Sequence, residues 1–419
     1  MAKTSPRHHR GVARILLLLP TTTYRAPDFV EAARALGVEV VVGVAEGDTL
    51  GPLPGERSLA VPFDDPAEAA ARIADHDAAA PLDAVLAVDD VGTVVAARAS
   101  ALLGLRHNPP EAVAAARDKL VMRRLLDECE VDQPRYAVLA PGADDDAVAA
   151  AVAHVGLPCV IKPTTLSASQ GVLRADDVDG AVQVTARVRR IAADAGLGPD
   201  APLLVERFVP GPEVAVEGLL VAGRLHVLAV FDKPDPLDGP AFAETIYVTP
   251  SRLAAADLAA VAAATQAATA ALGLTEGPVH AEVRVGDGRA SVIEVAARTI
   301  GGLCGRALSF STGRSLEELV IRHALGMALG DTRARGASGV LMVPTPRAGT
   351  LRAVEGVDAA RAVPGIVGVD ITVAAGKRVV PVPEGNRYLG FVFGRDATPA
   401  RVETALRRAW ACLDVRVDA

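Results

Sequence analysis

The chain has 419 residues, of which 50% are hydrophobic and 3% aromatic, and it carries a formal net charge of -8. A chain of this length exceeds one hydrophobic core and predicts several modules, while its hydrophobic content excludes a mainly disordered protein. The negative charge and the scarcity of aromatic residues argue against nucleic acid as a partner. The four cysteines show no CxxC spacing and are interpreted as free thiols in a reducing compartment.

The amino terminus resembles a signal peptide, because a positively charged segment precedes the leucine-rich run at residues 15–19. That run is shorter than a signal-peptide core and continues into PTTTYR without a small-residue cleavage site. We therefore expect a disordered tail over residues 1–12 and a first β-strand behind it. No run reaches the roughly 20 apolar residues of a membrane helix, so a cytoplasmic protein that does not bind membranes is expected.

Residues 13–107 alternate between strand and helix patterns. Asp65, Pro66 and Glu68 form a helix start, with a capping side chain followed by proline at the first helical position. This alternation predicts a parallel, doubly wound sheet. No GxGxxG motif follows the first strand, which argues against a dinucleotide. The predicted strands are residues 15–19, 38–44 and 84–88.

Tyr24 and Arg25 come after the first predicted strand, where the carboxyl ends of parallel strands border a cleft. They either wall off the substrate side of that cleft or are plain loop residues, and the sequence leaves both interpretations open. Further on, Asn108 is predicted to cap the helix that begins PPEAVAAAR, and Asp118 to cap the helix DKLVMRRLLDE.

The remaining chain divides into three patterns. A small strand-helix-strand-strand-helix unit is predicted from residue 136 to about 207, and a larger unit from 208 to about 329. Within the larger unit, the alanine-rich run 253–272 is interpreted as a packing helix. After Gly330 comes a small strand-rich piece that is closed by a helix over residues 399–412.

Two glutamates on neighbouring predicted strands carry most of the functional information. Glu282 lies in VHAEVRV and Glu294 in SVIEVAAR, and the intervening GDGR is a hairpin turn signal. Burying the apolar sets of both strands on one face forces both glutamates onto the other face. A three-residue loop over residues 287–289 with a left-handed glycine would place Glu282 opposite Glu294.

Opposite residues on paired strands have Cβ atoms about 4.5 to 5.5 Å apart. Two carboxylates held that close repel each other unless a cation bridges them, and hard oxygen ligands suit Mg²⁺ or Mn²⁺. Arg298 follows closely in the sequence and completes a set of groups suited to a magnesium-nucleotide. The alternative is an exposed hairpin face with ordinary solvated acids.

A second pattern predicts contacts to phosphate. The apolar strand 159–161 leads into Lys162, and a loop of small residues, TTLSASQG, occupies residues 164–171. Backbone N–H groups and hydroxyls in such a loop suit phosphate oxygens, and the lysine adds a positive charge. The Walker A pattern GxxxxGK[ST] is absent from the chain. A hairpin with a serine-rich turn would look similar.

The order of these parts resembles the ATP-grasp superfamily over about residues 10–400. Lys119 on a helix is followed by Lys162 and its loop, by a strand that ends at Glu206 and Phe208, and by a strand that begins at Glu213. The paired glutamates Glu282 and Glu294 come last in this order along the chain. The resemblance implies an α/β protein of ATP-grasp fold that uses ATP with Mg²⁺ or Mn²⁺.

Within that superfamily the chain most resembles the L-amino-acid ligases. Ala296 stands where many ATP-grasp enzymes have a metal-binding asparagine, and the amino-acid ligases also have a non-ligating residue there. The chain lacks the glycine-run phosphate loop of biotin carboxylases. Tyr247 stands where a histidine often occurs in the amino-acid ligases. The segments that carry the resemblance are LSASQG (166–171), FDKPDPLDGPAFAETIYVTPS (231–251), GPVHAEVRV (277–285), EVAARTIGG (294–302) and PVPEGNRYLGFVFG (381–394).

The resemblance implies a role for each candidate residue. Glu282 and Glu294 are expected to hold the metal, and Arg298 to stabilise the transferring phosphoryl group or to pair with Glu294 in a purely structural role. The substrate candidates are Glu244, Tyr247, His280 and Arg306. The residues expected to contact ATP are Lys119, Lys162, Ser167, Ser169, Gly171, Glu206 and Phe208, with Glu213 at the ribose.

The implied activity is an ADP-forming carboxylate-amine ligase that works through an acyl phosphate, with small-molecule carboxylate and amine substrates, foremost amino acids. A homodimer is left open. The alternatives are a biotin-carboxylase-like or purine-pathway ATP-grasp enzyme and a non-catalytic ATP-binding module. The expected organisation is a tail at 1–12, an N-terminal doubly wound domain at 13–118, a small lid subdomain at 119–207, an ATP and metal subdomain at 208–329 and a C-terminal strand-rich subdomain at 330–419.

Overall fold

The computed structural model describes residues 11–19, 25–45, 58–198, 201–286 and 288–419. Tyr24, Asp287 and residues 1–10 of the expected tail lie outside the described residues. Within the described ranges, none of the helices combines the length and the apolar character that crossing a membrane requires.

The first module is a parallel sheet covered on both faces. Leu16 and Leu18 of the first strand pack in one core cluster, and Ile15 and Leu17 pack in another on the opposite face. Strands buried on both faces are continuous hydrophobic runs, which is why RILLLL forms the centre of this sheet. The doubly wound sheet is confirmed. Its elements are β1 (Arg14–Leu19), α1 (Ala26–Ala35), β2 (Glu39–Val44), β3 (Ser58–Ala60), α2 (Pro66–Ala79), β4 (Ala84–Ala87) and α3 (Asp90–Leu103), in the sheet order β3-β2-β1-β4.

The helix caps agree with the sequence at two of three positions. The Asp65 carboxylate accepts the N–H groups of Ala67 and Glu68 at the start of α2, and the Asp118 carboxylate caps the helix that begins at Lys119. The prediction for Asn108 is wrong. Its side-chain oxygen accepts the N–H groups of residues 275 and 276, each at 2.7 Å, because two prolines separate it from the first free N–H group of the next helix.

The second module is a four-stranded antiparallel sheet with two helices against it. Its strands follow the order β5-β8-β6-β7, and Lys162 lies on β6. The elements from the first module to the end of this one are α4 (Pro110–Arg117), α5 (Lys119–Glu128), β5 (Tyr136–Leu139), α6 (Asp145–Val155), β6 (Cys159–Pro163), β7 (Leu173–Ala175), α7 (Val178–Asp194) and β8 (Leu203–Arg207).

An eight-stranded antiparallel sheet forms the largest part of the molecule. Its order is β13-β12-β9-β10-β11-β14-β18-β16, so three strands that follow residue 330 extend the same sheet. Its first five strands and one helix are β9 (Glu213–Val221), β10 (Arg224–Asp232), β11 (Ile246–Thr249), α8 (Ala255–Ala271), β12 (Gly277–Gly286) and β13 (Arg289–Ala296).

The rest of the chain completes this sheet and adds a small one of order β17-β15-β19. The last helix is followed by a strand that the sequence analysis did not predict. The elements are α9 (Arg306–Thr312), α10 (Leu316–Ala324), β14 (Ala337–Val343), β15 (Gly349–Glu355), α11 (Val357–Arg361), β16 (Ile366–Ile371), β17 (Arg378–Val379), β18 (Gly390–Asp396), α12 (Pro399–Trp410) and β19 (Asp414–Asp418).

The two faces of the large sheet differ in polarity. On β12, Val279, Ala281 and Val283 are fully buried in a core shared with α8. The alternate residues of β12, including His280 and Glu282, therefore point to the opposite face. The large sheet thus presents a face of ionisable side chains toward the first two modules.

The register of the β12–β13 hairpin is as predicted, but its cause differs. Glu282 lies opposite Glu294, whereas Gly286 pairs directly with Arg289, so the turn has two residues and not three. A β-bulge in β13 supplies the extra residue: Val283 pairs with Val292, and Ile293 is passed over. Val292 consequently takes the core position that was predicted for Ile293.

Candidate active site

A cavity of ≈ 420 Å³ lies between the polar face of the large sheet, the carboxyl end of β4 and the lid sheet. This volume is within the range of small-molecule sites. The cavity brings together most of the side chains that the sequence analysis selected. Those that line it are Lys119, Lys162, Ser167, Ser169, Glu206, Phe208, Glu213, Glu244, Tyr247, His280, Glu282, Glu294 and Arg298.

Two candidates do not line the cavity. Arg306 forms ion pairs with Asp28 at 2.7 Å and Asp370 at 2.5 Å, and thereby ties α9 to the first module and to β16. The N–H group of Gly171 donates to the Pro383 carbonyl at 2.9 Å, so it is occupied and does not face the cavity. Arg306 and Gly171 therefore have protein partners outside the cavity lining, and their predicted contacts with substrate and ATP stay predictions.

Lys119 reaches the cavity from the first turn of α5. Its Nζ donates to the Leu166 carbonyl at 2.7 Å and to the Glu294 carboxylate at 3.0 Å. Lys119 is buried at the start of α5, where the Asp118 carboxylate caps the helix. The lysine therefore connects the lid loop to one of the paired glutamates.

Lys162 lies in a buried cluster with Glu206 and Arg123. The two Glu206 carboxylate oxygens accept from Arg123 Nε at 2.7 Å and from Lys162 Nζ at 2.8 Å. Burial alone would raise the pKa of Glu206, but the charges of Arg123 and Lys162 outweigh it and lower that pKa to about 2. Burial lowers the pKa of Lys162, and the carboxylate of Glu206 opposes that shift.

An apolar region forms one end of the cavity. Phe208, Leu237 and Phe242 form a small hydrophobic cluster, against which Val160 and Val172 pack. All five line the cavity. An apolar surface bordered by the charged cluster at Glu206 is suited to a heteroaromatic ring.

The lid loop covers the cavity with an unusual backbone. Ala168 and Ser169 have φ angles of 55° and 56°, which non-glycine residues rarely adopt. Residues 166–169 line the cavity. The loop is held from outside by the segment 381–388, which we call the C-terminal latch, since Gln170 Nε2 donates to the Glu384 carbonyl at 2.9 Å.

Three carboxylates surround one lysine next to the paired glutamates. Glu213, Glu244 and Glu282 each offer an oxygen atom within 4.8 Å of the others. Lys233 Nζ donates to all three carboxylates, to Glu213 at 2.6 Å and to Glu282 at 3.0 Å. Burial would lower the pKa of Lys233, but the three carboxylates raise it well above its usual value. Glu213 thus has a buried ammonium as its partner, and its predicted contact to ribose stays a prediction.

His280 forms a second charged pair on the same face. Its Nδ1 lies 2.5 Å from the Glu217 carboxylate, directly across the β9–β12 pairing. The other Glu217 oxygen accepts the Ile300 N–H at 3.1 Å, next to the segment that carries Arg298. Burial would lower the pKa of His280, but the Glu217 carboxylate raises it to about 9.

Arg298 is held by the first module. Its Nε pairs with the Asp90 carboxylate at 2.8 Å, and its Nη1 donates to the Thr299 carbonyl at 2.9 Å. The structural alternative named Glu294 as its partner, which is incorrect. Asp89, the residue before Asp90, also lines the cavity, and burial together with the Asp90 charge raises its pKa to about 6. Arg25, next to Tyr24 in the chain, also lines the cavity and donates to Thr299 Oγ1.

Several ionisable residues of this site were not selected by sequence analysis, among them Arg123, Lys233, Asp90 and Glu217. Arg123 lies four residues after Lys119 on α5, so helical spacing places both on one face and could have found it. Lys233 lies within the segment that carried the family resemblance. Asp90 gave no local signal, because its importance depends on a contact with a residue 208 positions away in the chain.

Three models of known protein families match successive parts of the chain. An ATP-grasp N-terminal domain matches residues 30–107, an ATP-grasp domain matches 155–307, and an L-amino acid ligase C-terminal domain 2 matches 341–418. The chain thus contains ATP-grasp domains and has the ATP-grasp fold. Its resemblance to the L-amino acid ligases is confirmed by the third match.

Similar proteins and structures agree with this assignment. The chain is 26% identical over 308 residues to the uncharacterized protein y4rH of Sinorhizobium fredii and 28% identical over 236 residues to alanine–anticapsin ligase of Bacillus subtilis. These matches span 73% and 52% of this chain but only 62% and 49% of the respective relatives. The crystal structure of an L-amino acid ligase from Bacillus licheniformis superposes with a TM-score of 0.80 at 25% identity, covering 97% of this chain and 99% of that one.

Proposed function

We propose that this protein is an ADP-forming ligase that joins the carboxylate of an amino acid to an amine, foremost that of a second amino acid. The observation that carries the proposal is the position of Glu282 and Glu294, which face each other across β12 and β13 with the Lys119 ammonium bound to Glu294. Acidic and basic groups set at one closed cavity suit the transfer of a phosphoryl group.

The cavity offers a place for each part of ATP. The adenine fits the apolar end around Phe208, and the phosphates fit beside Lys119, Lys162 and the lid residues Ser167 and Ser169. Both lysines are buried and lie close to carboxylates. A magnesium-nucleotide can therefore exchange ion pairs with them without leaving a buried charge unpaired.

The paired glutamates suit a divalent cation by their chemistry. Glu282 and Glu294 offer hard carboxylate oxygens, and in the described structure each accepts an ammonium group at 3.0 Å. A site that attracts an internal cation this closely fits Mg²⁺ or Mn²⁺. When bound, the ion would neutralise charge on the β- and γ-phosphates.

The reaction then follows from these groups. A carboxylate oxygen of the first substrate attacks the γ-phosphorus, the bond to ADP breaks, and an acyl phosphate forms. The amine attacks the acyl carbon and loses a proton, and phosphate leaves. Arg298 would bind the oxygens that gain charge in both steps, because a guanidinium can contact two oxygens at once.

Two substrate contacts are proposed beside this centre. Glu244 and Tyr247 line the cavity next to the carboxylate cluster, where an ammonium group of an amino acid can bind. His280 is paired with Glu217, which favours a role in holding the site together over proton transfer.

The module boundaries, the homodimer and the cytoplasmic location stay predictions. Other ATP-grasp enzymes and a non-catalytic ATP-binding module remain the alternatives. The L-amino acid ligase domain matched at residues 341–418 supports an amino-acid substrate over bicarbonate or a purine precursor. Incubating the protein with pairs of amino acids, ATP and Mg²⁺, and measuring ADP release together with the product mass, tests the proposal. ATP binding without ADP release for every pair would favour the binding module.

A further inference from the structure

The cavity is rich in cationic side chains, and nearly all of them have partners. Each of six lysine or arginine residues in its lining makes an ion pair or a hydrogen bond to a carbonyl group. These pairs are Lys119–Glu294, Lys162–Glu206, Arg284–Glu213, Arg298–Asp90, Arg25–Glu317 and the bond from Arg207 to the Leu157 carbonyl.

Arg387 differs from these six. It lines the same cavity and is exposed, and within the described residues its guanidinium makes no ion pair or hydrogen bond. The nearby acid Glu384 is already paired with Arg187 at 2.7 Å. Arg387 therefore presents a positive charge to the cavity that has no acceptor in the part of the chain that the structure describes.

The neighbours of Arg387 in the C-terminal latch fix its position. Asn386 donates to the Gln170 side chain of the lid at 3.3 Å, and the Tyr388 hydroxyl accepts the Glu244 N–H at 3.2 Å. Arg387 thus lies between the lid and the Glu244 region. Glu244 belongs to the carboxylate cluster, so this part of the cavity lies beside that cluster.

The substrates of the proposed reaction include an anionic group that takes no part in the chemistry. In the proposed reaction, the amino acid that supplies the amine keeps its own α-carboxylate unreacted throughout. That carboxylate needs a cation, because a carboxylate in a closing cavity is strongly disfavoured without one. A guanidinium binds a carboxylate through two parallel hydrogen bonds, which fixes orientation as well as charge.

We propose that Arg387 binds the free α-carboxylate of the amino acid that supplies the amine, and thereby selects amino acids over simple amines as the second substrate. The inference rests on the proposed ligase function. It assigns to the C-terminal latch a part in specificity in addition to its contact with the lid.

The test compares amine substrates that differ only at this carboxylate. For a pair that the wild-type protein ligates, KM is measured for the amine-supplying amino acid and for its carboxamide. In Arg387→Gln the KM for the amino acid should rise roughly tenfold to hundredfold, since a hydrogen-bonded charge pair is lost. The KM values for the carboxamide and for ATP should stay within about twofold, and Arg387→Lys should recover part of the preference. Arg378→Gln, an exposed position in the same part of the chain, is the matched control.

The outcomes separate this inference from the function on which it rests. If no pair of amino acids yields ADP with the wild-type protein, the ligase function fails, and the role of Arg387 fails with it. If ligation occurs but Arg387→Gln weakens the amino acid and its carboxamide equally, only the role of Arg387 is overturned. A rise confined to the KM for ATP would overturn it too, and would make Arg387 a phosphate ligand.

Discussion

Glu282 lies directly opposite Glu294, and the bulge at Ile293 keeps both carboxylates on the cavity side of the hairpin. Without the extra residue, the two-residue turn would pair Glu282 with Ile293 and send Glu294 toward the core, because a shift of one residue moves a side chain to the other face. The metal-binding geometry that we propose thus depends on one irregularity in β13.

We expect Glu294→Gln to abolish turnover while the protein stays folded. The amide keeps the hydrogen bond from Lys119 but loses the charge that a divalent cation requires. Activity should also disappear when excess chelator removes Mg²⁺. Turnover is measured as ADP release and folding by circular dichroism, with the exposed Glu128→Gln on α5 as the control. Full activity of Glu294→Gln or in chelator would refute the metal assignment.

Arg298→Ala should keep ATP binding and lose turnover by a factor on the order of 10² or more. The lysines and the apolar end of the cavity remain intact in this variant, so the nucleotide site is preserved. Asp90→Asn should lower turnover less, because it removes the partner that orients the guanidinium and leaves the guanidinium itself in place. Calorimetry for ATP and steady-state kinetics check both. A loss restricted to ATP affinity would make Arg298 a ground-state phosphate ligand.

The path of oxygen tests the acyl phosphate. If the substrate carboxylate attacks the γ-phosphoryl group, one ¹⁸O from a labelled carboxylate must appear in the released phosphate, and ADP must be the nucleotide product. Mass spectrometry of phosphate and nucleotide provides the measurement. Label in AMP, or no transfer of ¹⁸O, would exclude the mechanism and favour an adenylate or a non-ligase activity.

We expect hydrogen exchange in residues 164–171 to slow when a non-hydrolysable ATP analogue and Mg²⁺ are added. The loop contains residues with positive φ and is held at its end by contacts of Gln170 and Gly171 with the C-terminal latch. Nucleotide phosphates would add hydrogen-bond acceptors for this loop and thereby order it. Glu384→Gln, which breaks the ion pair with Arg187, should speed exchange in the unliganded protein. Exchange rates that do not respond to nucleotide would indicate a rigid hairpin.

The buried cluster of Arg123, Lys162 and Glu206 predicts a pH-dependent stability. Because the pKa of Glu206 is lowered to about 2, its contribution is complete above its unfolded pKa near 4.5 and is lost as the pH falls from there toward 2. Glu206→Gln should lower the free energy of unfolding at pH 7 by about 3 kcal/mol, since it leaves two buried cations with one neutral partner.

Urea unfolding of the wild type and Glu206→Gln at pH 7, 4 and 3 measures this effect. The difference between the two proteins should shrink over that series, whereas exposed Glu128→Gln should match the wild type throughout. A difference that stays constant from pH 7 to pH 3 would show that the cluster does not depend on the charge of Glu206.

The sequence by itself determined the fold class and the face of β12 that carries the ionisable side chains of the site. Each of these depends on local periodicity: the apolar run at β1 forms a buried parallel strand, and the alternation in β12 places His280 and Glu282 on one face. Such patterns are readable because a strand repeats every two residues whatever it packs against.

The tertiary structure alone decided which charges neutralise one another. Three contacts join different parts of the chain in this way. Arg298 pairs with Asp90, Arg306 pairs with Asp28, and Lys233 contacts three glutamates. No local pattern encodes such contacts, because electrostatic energy depends on distance in space and on burial, and neither follows from position in the sequence. The exposed guanidinium of Arg387 became informative for the same reason, once the partners of the other cations were known.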